Sequence, residues 1–311
     1  MQVAFSLRGH SQSITGLAFS NPYLISSDTN QILVWDITKR RIVNASNCND
    51  TTHLDSMHLT NKSEGNVLVC QDRSGSIRFL QIPSLDPSTS SSLQTLATNS
   101  LHFCKFHLFM HDEQILIGFA SAETSNTLDV FDVTSGIFVN RIIGIEKNGA
   151  LICNCVYNKS GIKCLLGYES GAVVVMNASL NAVVSIVKAH SEPVMAVDVC
   201  VAIGFGVTVA ADDSISRIAL EPIEKENQSE CRVAKLRSSG HSDVVWRPDG
   251  KVLAIASWNS TLDVYSAKKL QFLCDLTESE RGCCKCLLFA GKDDRFVLFG
   301  GCDTGRIIVF E

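Results

Sequence analysis

Ile32-Leu33-Val34-Trp35-Asp36 and Leu262-Asp263-Val264-Tyr265-Ser266 are two copies of one short object: β-forming residues ending on a large apolar side chain, followed by a polar one. Five more copies lie along the 311-residue chain: Ile77-Arg78-Phe79-Leu80-Gln81, Leu128-Asp129-Val130-Phe131-Asp132, Val173-Val174-Val175-Met176-Asn177, Ile215-Ser216-Arg217-Ile218-Ala219 and Ile307-Ile308-Val309-Phe310-Glu311. The large residues fall at 35, 80, 131, 176, 218, 265 and 310, in steps of 45, 51, 45, 42, 47 and 45. A period of roughly 40 to 45 residues is that of a four-stranded propeller blade. The long step contains Pro83-Ser84-Leu85-Asp86-Pro87-Ser88-Thr89-Ser90-Ser91-Ser92, a surface loop by composition, and the polar stretch 221–230 also reads as a loop.

Most copies follow an apolar run and a tight polar turn, such as Asp72-Arg73-Ser74-Gly75, Glu169-Ser170-Gly171 or Asp303-Thr304-Gly305. Acidic and amide residues with glycine suit the turn of an antiparallel hairpin. Several strands are apolar at consecutive positions, as in Ile307-Ile308-Val309, where a half-exposed strand would alternate. Strands in stacked blades are covered on both faces, so this pattern points to a propeller rather than a one-sided sheet. No long apolar stripe of period 3.6 interrupts it, which argues against an α/β fold. The expectation is an all-β, seven-bladed β-propeller forming a single domain over 1–311, with the strand-like run at residues 3–7 supplying the outermost strand of the last blade. That closure would leave no unpaired opening.

Composition narrows the function. With 45% hydrophobic and 19% charged residues, the chain has the apolar content of a folded core. No apolar stretch approaches the roughly 18 residues of a membrane helix. Residues 1–8 lack the basic start and apolar block of a secretory signal, so residence inside the cell is expected. The 13 cysteines are then expected to be buried thiols, as at Cys70, Cys104, Cys164 and Cys200. Neither Cys153/Cys155 nor Cys283/Cys284/Cys286 has the spacing of a zinc site. A net charge of −5, with Lys39-Arg40-Arg41 the only local basic cluster, argues against direct nucleic-acid binding.

Gly9-His10, Trp35-Asp36, Ala189-His190 and Gly240-His241 resemble the Gly-His and Trp-Asp signatures of WD-repeat propellers. A narrower resemblance, to the ASTRA-associated or G-protein β-subunit-like WD-repeat family, rests on longer strings. These are Leu7–Phe19 (LRGHSQSITGLAF), Leu96–Phe106 with its unusual Thr98-Asn99-Ser100 and His102-Phe103-Cys104, His190–Met195 (HSEPVM) and Ser242–Lys251 (SDVVWRPDGK). Blades two to four lack Gly-His and mostly lack Trp-Asp. The resemblance implies a non-catalytic scaffold, a monomeric propeller within the ASTRA assembly. Its partners would be RuvB-like ATPases and the co-chaperones that mature phosphatidylinositol-3-kinase-related kinases. It also implies a link to chromatin and nuclear residence with a cytoplasmic share. The alternative is a free-standing signalling adaptor of G-protein β type, disfavoured because only nine residues precede His10.

In the WD pattern the Gly-His histidine joins a buried network with a turn Asp and a strand Ser or Thr, so His10, His190 and His241, with Trp35 and Asp36, are expected to be structural. No Gly-x-Ser-x-Gly string, phosphate loop or dinucleotide fingerprint occurs, so neither an enzyme nor a cofactor is expected. His107 and His111 read as chance neighbours in a loop. Arg and large aromatics dominate interface energies. On that ground Arg73, Tyr168 and Trp258 in the turns, joined by Trp246 and Arg247, are the expected interaction anchors, with blade packing as the alternative role of both tryptophans.

Overall fold

A computed structural model describes residues 1–48, 50–59, 65–82, 91–98, 104–111, 114–159, 161–222, 231–276, 282–292 and 295–311. They form seven four-stranded antiparallel sheets, the blades of an all-β, seven-bladed propeller. Every recurring segment found in the sequence is the third strand of its blade. The backbone groups into two compact units, Met1–Leu101 with Leu276–Glu311, and His102–Asp275.

The first unit holds blades 1, 2 and 7. Blade 1 runs Gly16–Ser20, Tyr23–Ser27, Gln31–Asp36 and Arg41–Asn47. Blade 2 runs Thr51–Leu59, Gly65–Asp72, Ser76–Ile82 and Ser91–Ala97. Ser91 and Ser92, read from composition as loop, therefore begin a strand, because pairing with Leu80 and Gln81 satisfies their backbone groups. The rest of that insert, 83–90, lies outside the described residues, as do 223–230 of the second expected loop. Blade 7 takes three strands from the end of the chain, Cys284–Lys292, Arg295–Cys302 and Arg306–Phe310, and its fourth from the beginning, Val3–Arg8. Leu7 faces Ile307 and Val3 faces Phe310, and Gln2 and Glu311 exchange backbone hydrogen bonds of 2.8 and 3.0 Å. The expected closure is present.

The second unit holds blades 3 to 6. Blade 3 is His107–His111, Gln114–Ala120, Leu128–Asp132 and Ile137–Ile142. Blade 4 is Leu151–Asn158, Ile162–Tyr168, Ala172–Asn177 and Ala182–Lys188. Blade 5 is Val194–Cys200, Phe205–Ala210, Ser214–Ala219 and Cys231–Lys235. Blade 6 is His241–Trp246, Val252–Ser257, Leu262–Ser266 and Gln271–Asp275. His107–His111, expected as a loop, is a strand paired residue by residue with Gln114–Gly118, a long-range constraint that a four-residue histidine spacing does not reveal.

Second and third strands are buried almost without interruption, as in Ile162–Tyr168 and Leu128–Asp132. Their apolar side chains meet those of the next blade. Leu128, Val130 and Ile142 of blade 3 pack with Val156, Leu166 and Val174 of blade 4. Val207 and Val209 of blade 5 pack with Trp246, Leu253 and Tyr265 of blade 6. Leu24 and Trp35 of blade 1 pack with Phe299 and Val309 of blade 7.

Candidate interaction surface

Three histidines stand at or just before the first strand of their blades. His10 Nε2 lies 2.7 Å from Ser26 Oγ, which also accepts the Trp35 Nε1–H at 2.7 Å. Because Trp35 can only donate, the Ser26 hydroxyl proton is left for His10 Nε2, placing the ring proton on Nδ1, 3.1 Å from Asp28 Oδ2. Asp28 Oδ1 accepts the Asn30 and Gln31 N–H groups at 2.8 Å. Burial lowers the His10 pKa against the opposing pull of Asp28. Burial acts to raise that of Asp28, but these backbone donors and His10 hold it below the usual carboxylate range. The result is a neutral ring beside a carboxylate, with all four side chains buried.

In blade 5, His190 Nε2 is 2.8 Å from Thr208 Oγ1 and Nδ1 is 2.9 Å from Ser214 Oγ and 3.2 Å from Asp212 Oδ1. Ile218 stands where blade 1 has Trp35. In blade 6, His241 Nδ1 lies 2.9 Å from Ser257 Oγ, and backbone groups of Ser238 and Asp212 also bond the ring. The turn carries Asn259, which accepts from Thr261 instead. Burial lowers the His190 pKa and brings that of His241 to about 4. Asp36 is held at about 2 by the Thr38 hydroxyl and the Lys39 N–H, and fixes the turn into the fourth strand of blade 1. These side chains join strands and turns within the fold, and each ring nitrogen in use faces a protein atom.

Of the five expected anchors, two stand on exposed turns. In the first unit, Arg73 projects from the turn of blade 2, its Nε 3.5 Å from Asp50 Oδ2. In the second unit, Trp258 is 49% exposed on the turn of blade 6, and its N–H donates to Gly240 O at 2.9 Å. The ring lies on Gly240, where a Cβ would come within 2.3 Å of it. Arg247 is half-buried and bidentate to Asp249, at 2.9 and 2.7 Å, closing its own turn. Tyr168 is a correction, and Trp246 takes the blade-packing role that stood as its alternative. Tyr168, 0% exposed, ends a strand inside the apolar contact of blades 3 and 4. Trp246 is buried between blades 5 and 6, its N–H donating to Asp198 Oδ2 at 2.7 Å and its Nε1–H to Asp198 O at 3.3 Å. Proximity to a turn made both look superficial, whereas the neighbouring blade covers them.

An exposed apolar surface lies elsewhere and escaped the sequence reading. Ile137, Phe138, Val139 and Ile143 along the outer strand of blade 3 are exposed, as are Leu180, Val183 and Ile186 of blade 4. Asn140 Nδ2 donates to Ala178 O, and the Ile143 N–H to Asn181 Oδ1 at 3.3 Å, so the two edges are tied. Between them lies a cleft of about 280 Å³ lined by Val130, Val139, Asn140, Ile162, Ala178 and Ser179. Most soluble edges are blunted by charge or proline. Here Ile137-Phe138-Val139 is apolar at three consecutive positions, which was the available signal. A contiguous exposed apolar patch marks an interaction site far better than isolated residues do.

One arrangement mimics catalysis. Cys155 Sγ lies 3.3 Å from His107 Nε2, within reach for a nucleophile and base. Burial drives the Cys155 thiol well above its ordinary pKa and His107 down to about 4, so both are neutral. A reactive dyad needs the reverse pair of shifts. His107 Nδ1 is buried with no orienting acceptor. Among the described residues, no group of three or more His, Cys, Asp or Glu side chains could hold a metal ion.

No protein-family model matches the chain. It is 24% identical to a mouse protein called guanine nucleotide-binding protein subunit beta-like protein 1, over 84% of this chain and 82% of the relative. ASTRA-associated protein 1 of Verticillium alfalfae is 23% identical over 89% of this chain and 76% of its own. That of Schizosaccharomyces japonicus is 26% identical over 90% and 91%. The resemblance drawn from the sequence strings is borne out.

Proposed function

We propose that this WD-repeat propeller, homologous to proteins named for their association with ASTRA, is a non-catalytic scaffold subunit of an ASTRA-type assembly, acting as a single propeller domain. The carrying observation is similarity along about nine-tenths of the chain to proteins of that name. In this reading the chain joins RuvB-like ATPases and the co-chaperones that mature phosphatidylinositol-3-kinase-related kinases, serves chromatin remodelling through them, and resides in the nucleus. Its partners seat on the apolar edge of blades 3 and 4, with Trp258 and Arg73 as further anchors. The neutral, buried state of Cys155 and His107 supports the non-catalytic part.

The test is affinity purification of the tagged chain from its own cells, with quantitative mass spectrometry at two salt concentrations. Recovery of RuvB-like ATPases and kinase-maturation subunits is expected at both, since apolar contacts resist screening. Replacing Ile137 and Ile143 by serine is expected to cut recovery at least tenfold while moving the thermal midpoint little, because both side chains are largely exposed. Recovery of neither partner class sinks the assignment. The mouse relative's name favours a second reading, a signalling adaptor of G-protein β type. Co-purification of a tightly held γ-like chain would support it instead.

A further inference from the structure

Blade 7 carries a second arrangement of thiols. Its first two strands run antiparallel with Cys284 directly opposite Cys302, a register set by an irregularity between Cys284 and Cys286. The two Sγ atoms are 3.5 Å apart and buried. The backbone on either side is clamped. Cys283 N–H donates to Asp303 Oδ1 at 3.0 Å, Asp303 N–H to Cys283 O at 2.9 Å, and Ile14 N–H to Cys302 O at 3.0 Å. Glycine makes room for the sulfur, since a Cβ at Gly300 would stand 3.1 Å from Cys284 Sγ.

Directly opposed residues of an antiparallel pair have Cα atoms roughly 4.5 to 5.5 Å apart. That spacing lies inside the range a disulfide spans. Closing the remaining gap between the sulfurs therefore asks for side-chain rotation rather than backbone movement.

We propose that Cys284 and Cys302 form an oxidisable dithiol, a modification site at which a hydroperoxide closes a disulfide across the first two strands of blade 7. One thiol gives up its proton and its thiolate attacks a peroxide oxygen; the O–O bond breaks, the sulfur becomes a sulfenic acid, and the departing hydroxide takes up that proton as water. The second thiol attacks that sulfur, the S–S bond forms, and the hydroxyl leaves as water with the thiol proton. Two thiols and one hydrogen peroxide give one disulfide and two waters. Burial makes the reaction wait on opening of the hairpin, so it is slow, and shields the product from reductants once the hairpin closes. The link restrains the unfolded chain between residues 284 and 302 and so staples the blade that joins the two ends of the chain.

The test treats the reduced full chain with hydrogen peroxide, then quenches, unfolds and alkylates it for peptide mapping. A 284–302 disulfide is expected as the first intramolecular link, with a thermal midpoint several degrees higher that a phosphine reductant reverses. The Cys302→Ala and Cys284→Ser chains are expected to show neither effect. If neither variant folds, the wild-type map alone decides. Recovery of both cysteines as alkylated thiols, or first linkage of either to another cysteine, overturns the site. A 284–302 link that leaves the midpoint unmoved overturns the stapling.

Discussion

Ser26 is the residue on which the first blade turns, because it accepts from Trp35 and donates to His10 at once, with no exposed surface. Ser26→Ala strands a buried indole N–H and an imidazole nitrogen, and is expected to cost about 2 to 4 kcal/mol in chemical denaturation, near 1 to 2 for each orphaned group. Ser257→Ala, which removes the side-chain partner of His241, is expected to cost about half that. Equal losses would remove the gradation among the three networks. Protonation follows from the same burial. His107 and His241 titrate near 4 in the folded chain, so the unfolded chain binds more protons below its ordinary histidine pKa of about 6.5. Stability therefore falls as pH drops from there towards 4. Asp198 opposes this trend. Burial, then the nearby Asp243, lifts it to about 7, so the folded chain holds a proton that the unfolded one releases. Asp198→Asn deletes the opposing contribution and is expected to steepen the fall of thermal midpoint between pH 6.5 and 4. An unchanged slope would mean that Asp198 is ionised in the fold.

At the scale of the strand, the third strands were legible because burial on both faces writes consecutive apolar residues into the sequence, and the turn before most of them writes acid, amide and glycine. The fourth strands were harder. Arg41–Asn47 and Cys231–Lys235 mix polar and apolar residues without strict alternation, since their outward side chains have no neighbouring sheet to satisfy. Ile137-Phe138-Val139 of blade 3 and Ala182-Val183-Val184 of blade 4 run apolar at three consecutive positions, and both belong to the candidate surface. Tyr168 was misplaced, and Trp246 left between two roles, for a different reason. Each sits one residue from a turn, and only the next blade, set by pairing across many residues, decides that it is covered. Arg73 and Trp258 were placed on exposed turns because both side chains stay largely open there, Arg73 beside Asp50 and Trp258 over Gly240. Blade contact also explains a small residue. A Cβ at Gly167 would meet Cys153 Sγ at 2.6 Å and Val194 Cγ1 at 2.7 Å, one from its own blade and one from the next. Gly167→Ala is expected to destabilise by about 1 to 3 kcal/mol through overpacking, read as a shifted denaturation midpoint at constant slope. No shift would show that the blades can part at this seam.

For the molecule as a whole, the first unit depends on a strand borrowed from the opposite end of the chain. Removing residues 1–8 exposes the edge of Arg306–Phe310 and uncovers Ile307 and Val309, which pack against Leu7. The truncated chain is expected to lose several degrees of thermal midpoint and to aggregate through its opened edge, whereas adding the missing segment as a peptide in trans should restore part of the loss. Monomeric behaviour at full stability would count against closure as a source of strength. The same seam imposes an order on biogenesis. Val3–Arg8 leaves the ribosome about 300 residues ahead of its partner Arg306–Phe310, a delay on the order of tens of seconds at ordinary elongation rates. Through that interval the nascent chain carries an unmatched β-segment whose open edge is free to pair wrongly.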